Sequence, residues 1–168
     1  MDKYFWLVLL VLMSFIMTAC NKASERTDHD SHLKMVNEQG DKTMGFSHEK
    51  TTHHFLLYAD GGAIEVTANS PNDTKSRDQI RKHLGHIAKM FAEGNFDAPM
   101  LTHGKVPPGV PVLQKLKSEI SYDFSELENG GRVRIKTSNQ EALTALYEFL
   151  RFQIADHRTR DTTEITKE

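Results

Sequence analysis

Two histidines and a methionine stand at helical spacing between Ile80 and Phe91: His83, His86 and Met90, at i, i+3 and i+7. On a wheel of about 100° per residue with Ile80 at zero, Leu84, Ile87 and Phe91 gather near 20°. His83, His86 and Met90 then fall at about 300°, 240° and 280°, a single stripe along one flank of the apolar face. Imidazole beside thioether is a ligand set suited to copper, above all Cu(I), and rarely to zinc. Further donors lie near in the chain. His53 and His54 open a β-rich run, and because neighbours along a strand face opposite ways, only one of them can join a given site. His48 precedes them, and Met100 and His103 follow in what reads as a loop bounded by Pro99 and Gly104. The expected site is therefore a soft-metal site, with His83, His86 and Met90 completed by His53 or His54 and by Met100 or His103. Singly, each of these residues has an ordinary alternative, Met90 as core-edge packing and the histidines as surface or strand-end groups. The spacing matches no specific fingerprint such as H-E-x-x-H.

No catalytic set stands out. Ser47 and His48 lack a G-x-S-x-G setting, the acids are scattered, and the Gly-Gly pairs read as hairpin turns rather than phosphate loops. An enzyme would need a pocket with two titratable groups in mutual reach, and is the third reading after two kinds of binding module.

The elements that must position these donors can be read from the spacing. His53 to Tyr58 and Ala63 to Ala68 flank Asp60-Gly61-Gly62, a hairpin signal. Asn72-Asp73-Thr74 caps a helix with the stripe Ile80, Leu84, Ile87 and Phe91, closed by Gly94. The order then recurs. Ile120 to Leu127 and Arg132 to Thr137 flank Asn129-Gly130-Gly131, and Ser138-Asn139 caps a helix with the stripe Leu143, Leu146, Leu150 and Ile154. Between the halves, Pro111 starts a short helix. The expected fold is α+β in the order ββα-α-ββα. It makes a four-stranded antiparallel sheet with helices on one face, and suggests a ββα unit used twice.

The chain has 168 residues, 21 Lys+Arg against 23 Asp+Glu, nine His and one Cys, for a net charge of −2. That length suits one full-sized domain, and that charge makes no electrostatic case for a nucleic-acid partner. One Cys excludes an intrachain disulfide and a Cys-rich zinc site. Its position is informative. An apolar run from Tyr4 ends at Met17-Thr18-Ala19-Cys20, which resembles the bacterial lipoprotein signal, with Met17 where Leu is usual. The resemblance implies that residues 1–19 are removed and that acylated Cys20 holds the protein on a bilayer. It also implies the bacterial cell envelope, and Asn21 after the Cys favours the outer membrane, facing the periplasm. Residues 20–43 then read as the lipidated Cys and a flexible polar tether, 44–157 as one α+β domain and 158–168 as a disordered tail.

Met44-Gly45-Phe46, Thr51 to Phe55, Asp60 to Val66, Ser76 to Phe91, Pro107 to Pro111 and Glu148 to Ile154 together resemble a family of small bacterial proteins of uncharacterised activity. That resemblance implies no functional residue. The leading expectation is a membrane-anchored envelope lipoprotein holding copper. The alternative is a structural or interaction lipoprotein without metal, docking an envelope partner on the uncovered sheet face.

Overall fold

A computed structural model describes residues 30–168. The chain divides into a unit of residues 1–35, of which the described residues 30–35 are helical, and a unit of residues 36–168 that holds everything below. Residues 1–29, with the signal segment, the lipidation site Cys20 and the start of the expected tether, lie outside the described residues.

The second unit opens on helical residues 36–44 (α1). Val36, Gly40 and Met44 recur every four residues and so share a face. Val36 is fully buried, and a Cβ at Gly40 would touch Thr102. The flexible tether expected up to residue 43 is thus helical from residue 30. Three residues at one spacing supply a buried stripe that a count of apolar residues does not reveal.

Two hairpins form the sheet. Strands β1 (Thr51–Tyr58) and β2 (Gly61–Ala68) pair with Phe55 opposite Ile64. Strands β3 (Ile120–Leu127) and β4 (Gly130–Thr137) pair with Phe124 opposite Val133. The order is β1-β2-β4-β3, antiparallel throughout. The two hairpins have the same length and spacing: β3 starts 69 positions after β1 (120 against 51), and β4 starts 69 after β2 (130 against 61). At the seam, Ile64 faces Val133, and the same glycine serves each half. A Cβ at Gly61 would strike the carbonyl of Ile135, and one at Gly130 the carbonyl of Val66. Only glycine lets the two central strands approach there.

Four further helices follow: α2 (Thr74–Ala92), α3 (Asp97–His103), α4 (Val110–Lys115) and α5 (Gln140–His157). Asp73 caps α2 by accepting from the Ser76 N–H at 3.0 Å, and Asn139 caps α5 by accepting from Glu141 and Ala142. Each long helix crosses to the other half's strands, α2 lying on β3 and β4 and α5 on β1 and β2. Phe55, Leu57, Ile64, Val66, Val133 and Ile135 point into the core they enclose. The opposite face of the sheet is polar. Arg132 pairs with Glu65, and Arg134 with Asp60 and Glu168.

The tail expected to be disordered is instead laid along β1. Asp161 accepts from the Phe55 N–H at 2.9 Å, and the Thr166 N–H donates to the Leu57 carbonyl at 2.9 Å. Glu168 ends on Arg132 and Arg134. An edge strand carries unpaired backbone groups, and a polar tail can satisfy them without an apolar stripe of its own.

Candidate functional site

Beneath α1 and α3, against β1 and α5, lies a cavity of about 80 Å³ lined by Met44 and by four histidines, His53, His83, His103 and His157. Each arrives from a different element. His53 shares the side of β1 that carries Phe55 into the core, so its ring turns inward while His54 turns out. His83 comes from the flank of α2, His103 from the last turn of α3 and His157 from the last turn of α5.

His53 Nε2 lies 3.2 Å from Met44 Sδ. Its ring stacks on His157 at 5.9 Å between centroids, the planes 9° apart. Phe46 seals one side, stacked on His53 at 6.1 Å and edge-on to His83 at 5.6 Å. His157 in turn meets the His103 ring at 5.0 Å. Burial makes the charged imidazolium costly here. Desolvation above all, then the neighbouring His83, His54 and His48, takes His53 down to about 4, against a small upward pull from Asp41. Desolvation, with a contribution from His86, takes His83 to about 4. For His157, desolvation outweighs His53 and His103, and the value falls to about 3 although Asp156 acts the other way. At neutral pH these three are uncharged, the state in which an imidazole can ligate a metal.

His103 is held differently. It is 2 % exposed, with Nδ1 2.6 Å from Asp156 Oδ2 and Nε2 2.9 Å from Gln153 Oε1. Both ring nitrogens are engaged, so His103 shapes the cavity without a lone pair to offer it. The same engagement leaves the His103–Asp156 pair no free nitrogen for acid–base work on a substrate.

The structure thus gathers His53, His83 and His103 of the expected set and disperses the rest. His54 bonds Asp161 at 2.7 Å. His86 is exposed on α2, where it lines a groove of about 990 Å³ with Lys89, Tyr122 and Phe124, a groove that Met44 and His83 also edge. Met90 packs against the edge of the core, and Met100, half-buried on α3, does not line the cavity. His48 sits on Asp41, Nδ1 to Oδ1 at 3.0 Å. The stretch around Met100 and His103, expected as a loop, is the helix α3.

Sequence reasoning missed Met44, Gln153 and His157. A wheel on α5 carries the signal. With Leu143 at zero, Leu146, Leu150 and Ile154 fall within about 60° of one another's centre, and His157 falls at about 320°, inside the same stripe. Among the described residues, no three His, Cys, Asp or Glu side chains converge as a metal-binding group. The donors that meet here are imidazole and thioether. Comparison of the chain with protein-family models, curated proteins and solved structures returned no match.

Proposed function

We propose that this protein is a lipid-anchored envelope module that holds a soft cation, with Cu(I) the best fit, between Met44 and His53. His83 and His157 stand at the same cavity to complete the site. One observation carries the reading: a thioether sulfur and an imidazole nitrogen face each other at 3.2 Å in a cavity ringed by neutral imidazoles. Nitrogen and sulfur ligands at about 2.0 and 2.3 Å from one tetrahedral ion would stand about 3.5 Å apart. Met44 and His53 are already near that separation. Thioether selects for soft ions, Cu(I) is satisfied by two or three such donors, and no carboxylate lines the cavity to favour a harder ion.

The anchor rests on Met17-Thr18-Ala19-Cys20. Among the described residues, no helix is long and apolar enough to cross a membrane. A wide apolar face on the uncovered side of the sheet would favour the interaction reading, and the Glu65, Arg132 and Arg134 found there weaken it.

The test is a Cu(I) titration of the full chain, without an affinity tag, against a chromogenic chelator under reducing conditions. One copper per chain should transfer to the protein. Met44→Leu combined with His53→Gln should abolish the transfer, and His86→Ala should not alter it. A chelator that retains all its copper against the parent protein overturns the proposal.

A further inference from the structure

The tail that follows α5 fills the edge of β1 the way a guest segment would, and fills it incompletely. Where a strand added to β1 would offer a carbonyl to the Phe55 N–H, the tail offers the Asp161 carboxylate, whose other oxygen lies 2.7 Å from His54 Nδ1. One step of parallel pairing follows, the Thr166 N–H donating to the Leu57 carbonyl. Glu168 then reaches over the polar face of the sheet, where it accepts from Arg134 Nε at 2.9 Å and Arg132 Nη1 at 3.3 Å. The receiving groups do not depend on the tail. Arg134 is fixed by Asp60, by the carbonyls of Gly62 and Ile135, and by the Tyr58 ring 4.7 Å from its guanidinium. Arg132 is held by Glu65. Both guanidiniums therefore stay aimed when the tail leaves. The tail itself is lightly held. Residues 162–168 are exposed, and Ile165, its one large apolar side chain, is 49 % exposed. Its junction with α5 sets Arg158 at φ 53° and Arg160 at φ 66°, a left-handed backbone that residues other than glycine adopt at a cost.

We propose that the edge of β1, with Arg132 and Arg134, is a docking site for an extended acidic segment of a partner protein, and that the chain's own tail holds it in cis until the partner displaces it. This goes beyond the metal reading and stands without it. The occupant already seen defines the chemistry that is recognised. Backbone groups at Phe55 and Leu57 accept an extended chain, and the two arginines demand a carboxylate on the residues that follow. Strand addition of this kind takes affinity from main-chain bonds and specificity from side chains. A partner that continues the pairing past the single step made by Thr166 gains bonds that the tail does not make.

The probe is a synthetic peptide of residues 158–168, blocked at both ends and carrying a fluorophore, with binding to the full chain read by fluorescence anisotropy. Asp161→Ala combined with Thr166→Pro in the protein removes both backbone links of its own tail. The peptide should bind this opened variant at least about tenfold more tightly than the parent, whose tail competes from within the same molecule. Glu168→Ala in the peptide should weaken that binding about tenfold, and needs no change in the protein. Amide NMR shifts on binding should fall on residues 54–58 and on Arg132 and Arg134. Circular dichroism identifies an opened variant that has failed to fold, and Thr166→Pro alone then replaces it. Equal affinity for parent and opened variant overturns the proposal, as does a peptide that ignores the loss of Glu168. Shifts confined to other surfaces overturn it too, and so does a peptide that fails to bind the opened variant at about millimolar concentration.

Discussion

The two halves of the molecule use one scaffold and fill it differently. With β3 displaced from β1 by 69 positions, Tyr122 stands where His53 stands, and Phe124 where Phe55 stands. Counted from the helix caps Asp73 and Asn139, Phe91 on α2 stands where His157 stands on α5. The contacts correspond as well. His53 stacks on His157 at 5.9 Å in one half, and Tyr122 meets Phe91 at 5.8 Å in the other. A groove opens beside Tyr122 and Phe124, and Met44 and His83 edge it as well as the cavity.

Because an aromatic pair does the same packing in the second half, the fold does not require imidazoles in the first. Three half-buried, desolvated neutral histidines are a cost the scaffold could avoid, and sites that break a local packing rule in this way are where chemistry is expected. Tyr122 is the one comparable departure on the other side, its hydroxyl buried without a partner and its pKa raised by desolvation.

The comparison can be broken most forcefully through the aromatic half. Phe91 is almost fully buried between Phe96, Tyr122 and Phe149, and Phe91→Ala should cost about 3–5 kcal/mol in urea unfolding. If the loss is below 1 kcal/mol, the second half is not the packed counterpart described here. The seam should respond next. Gly61→Ala and Gly130→Ala each place a Cβ on the opposing backbone, and each should cost about 3 kcal/mol. Similar losses at the two positions support the internal symmetry, and a benign change at either one contradicts it.

The hairpins, caps and core stripes were legible because each depends on neighbours in sequence. Asp73 and Asn139 announce their helices, and Asp60-Gly61 and Asn129-Gly130 announce their turns. The site was legible only in part. His83 lay on a visible stripe, but His86 and Met90 share that stripe and point elsewhere, since a flank some 60° wide spans both a cavity and open solvent. His157 and Met44 owe their place to the chain's remote ends folding back. Met44 depends on α1 closing through Gly40 on Thr102, and His157 on α5 crossing to β1, the strand of the other hairpin. The tail's hold on β1 was invisible for a similar reason: its contacts are backbone and polar, and leave no hydrophobic pattern.

A smaller effect tests the histidines as a set. His53, His83 and His157 have pKa values of about 4, 4 and 3 in the fold, against about 6.5 in the unfolded chain. Between those values the unfolded chain holds protons that the folded chain refuses, so stability falls as pH falls, beginning near pH 6.5 and levelling off toward pH 4 to 3. Each histidine should contribute on the order of 1 kcal/mol per pH unit within that window. The carboxylates of Asp41, beside His53, and Asp156, beside His157, pull against the effect. Urea midpoints at pH 7, 6 and 5 should drop steadily, and a flat profile would show that the imidazoles are as well solvated as ordinary surface groups.

The smallest expected effect is the one that separates the halves most cleanly. His157→Phe installs in the first half the residue that Phe91 supplies in the second. At pH 7 the ring it replaces is neutral and already packs on Phe55 at 5.6 Å, so stability should change by less than about 1 kcal/mol. At pH 5 the variant should be more stable than the parent, because the proton taken up by an unfolded His157 no longer draws the chain apart. A gain at both pH values would show that the fold carries His157 at a loss even when it is neutral, which strengthens the case for chemistry at the cavity. A loss of several kcal/mol at pH 7 would mean instead that the histidine serves packing. The imidazoles of the first half would then be structural counterparts of Tyr122 and Phe91, and the metal proposal would lose its reason.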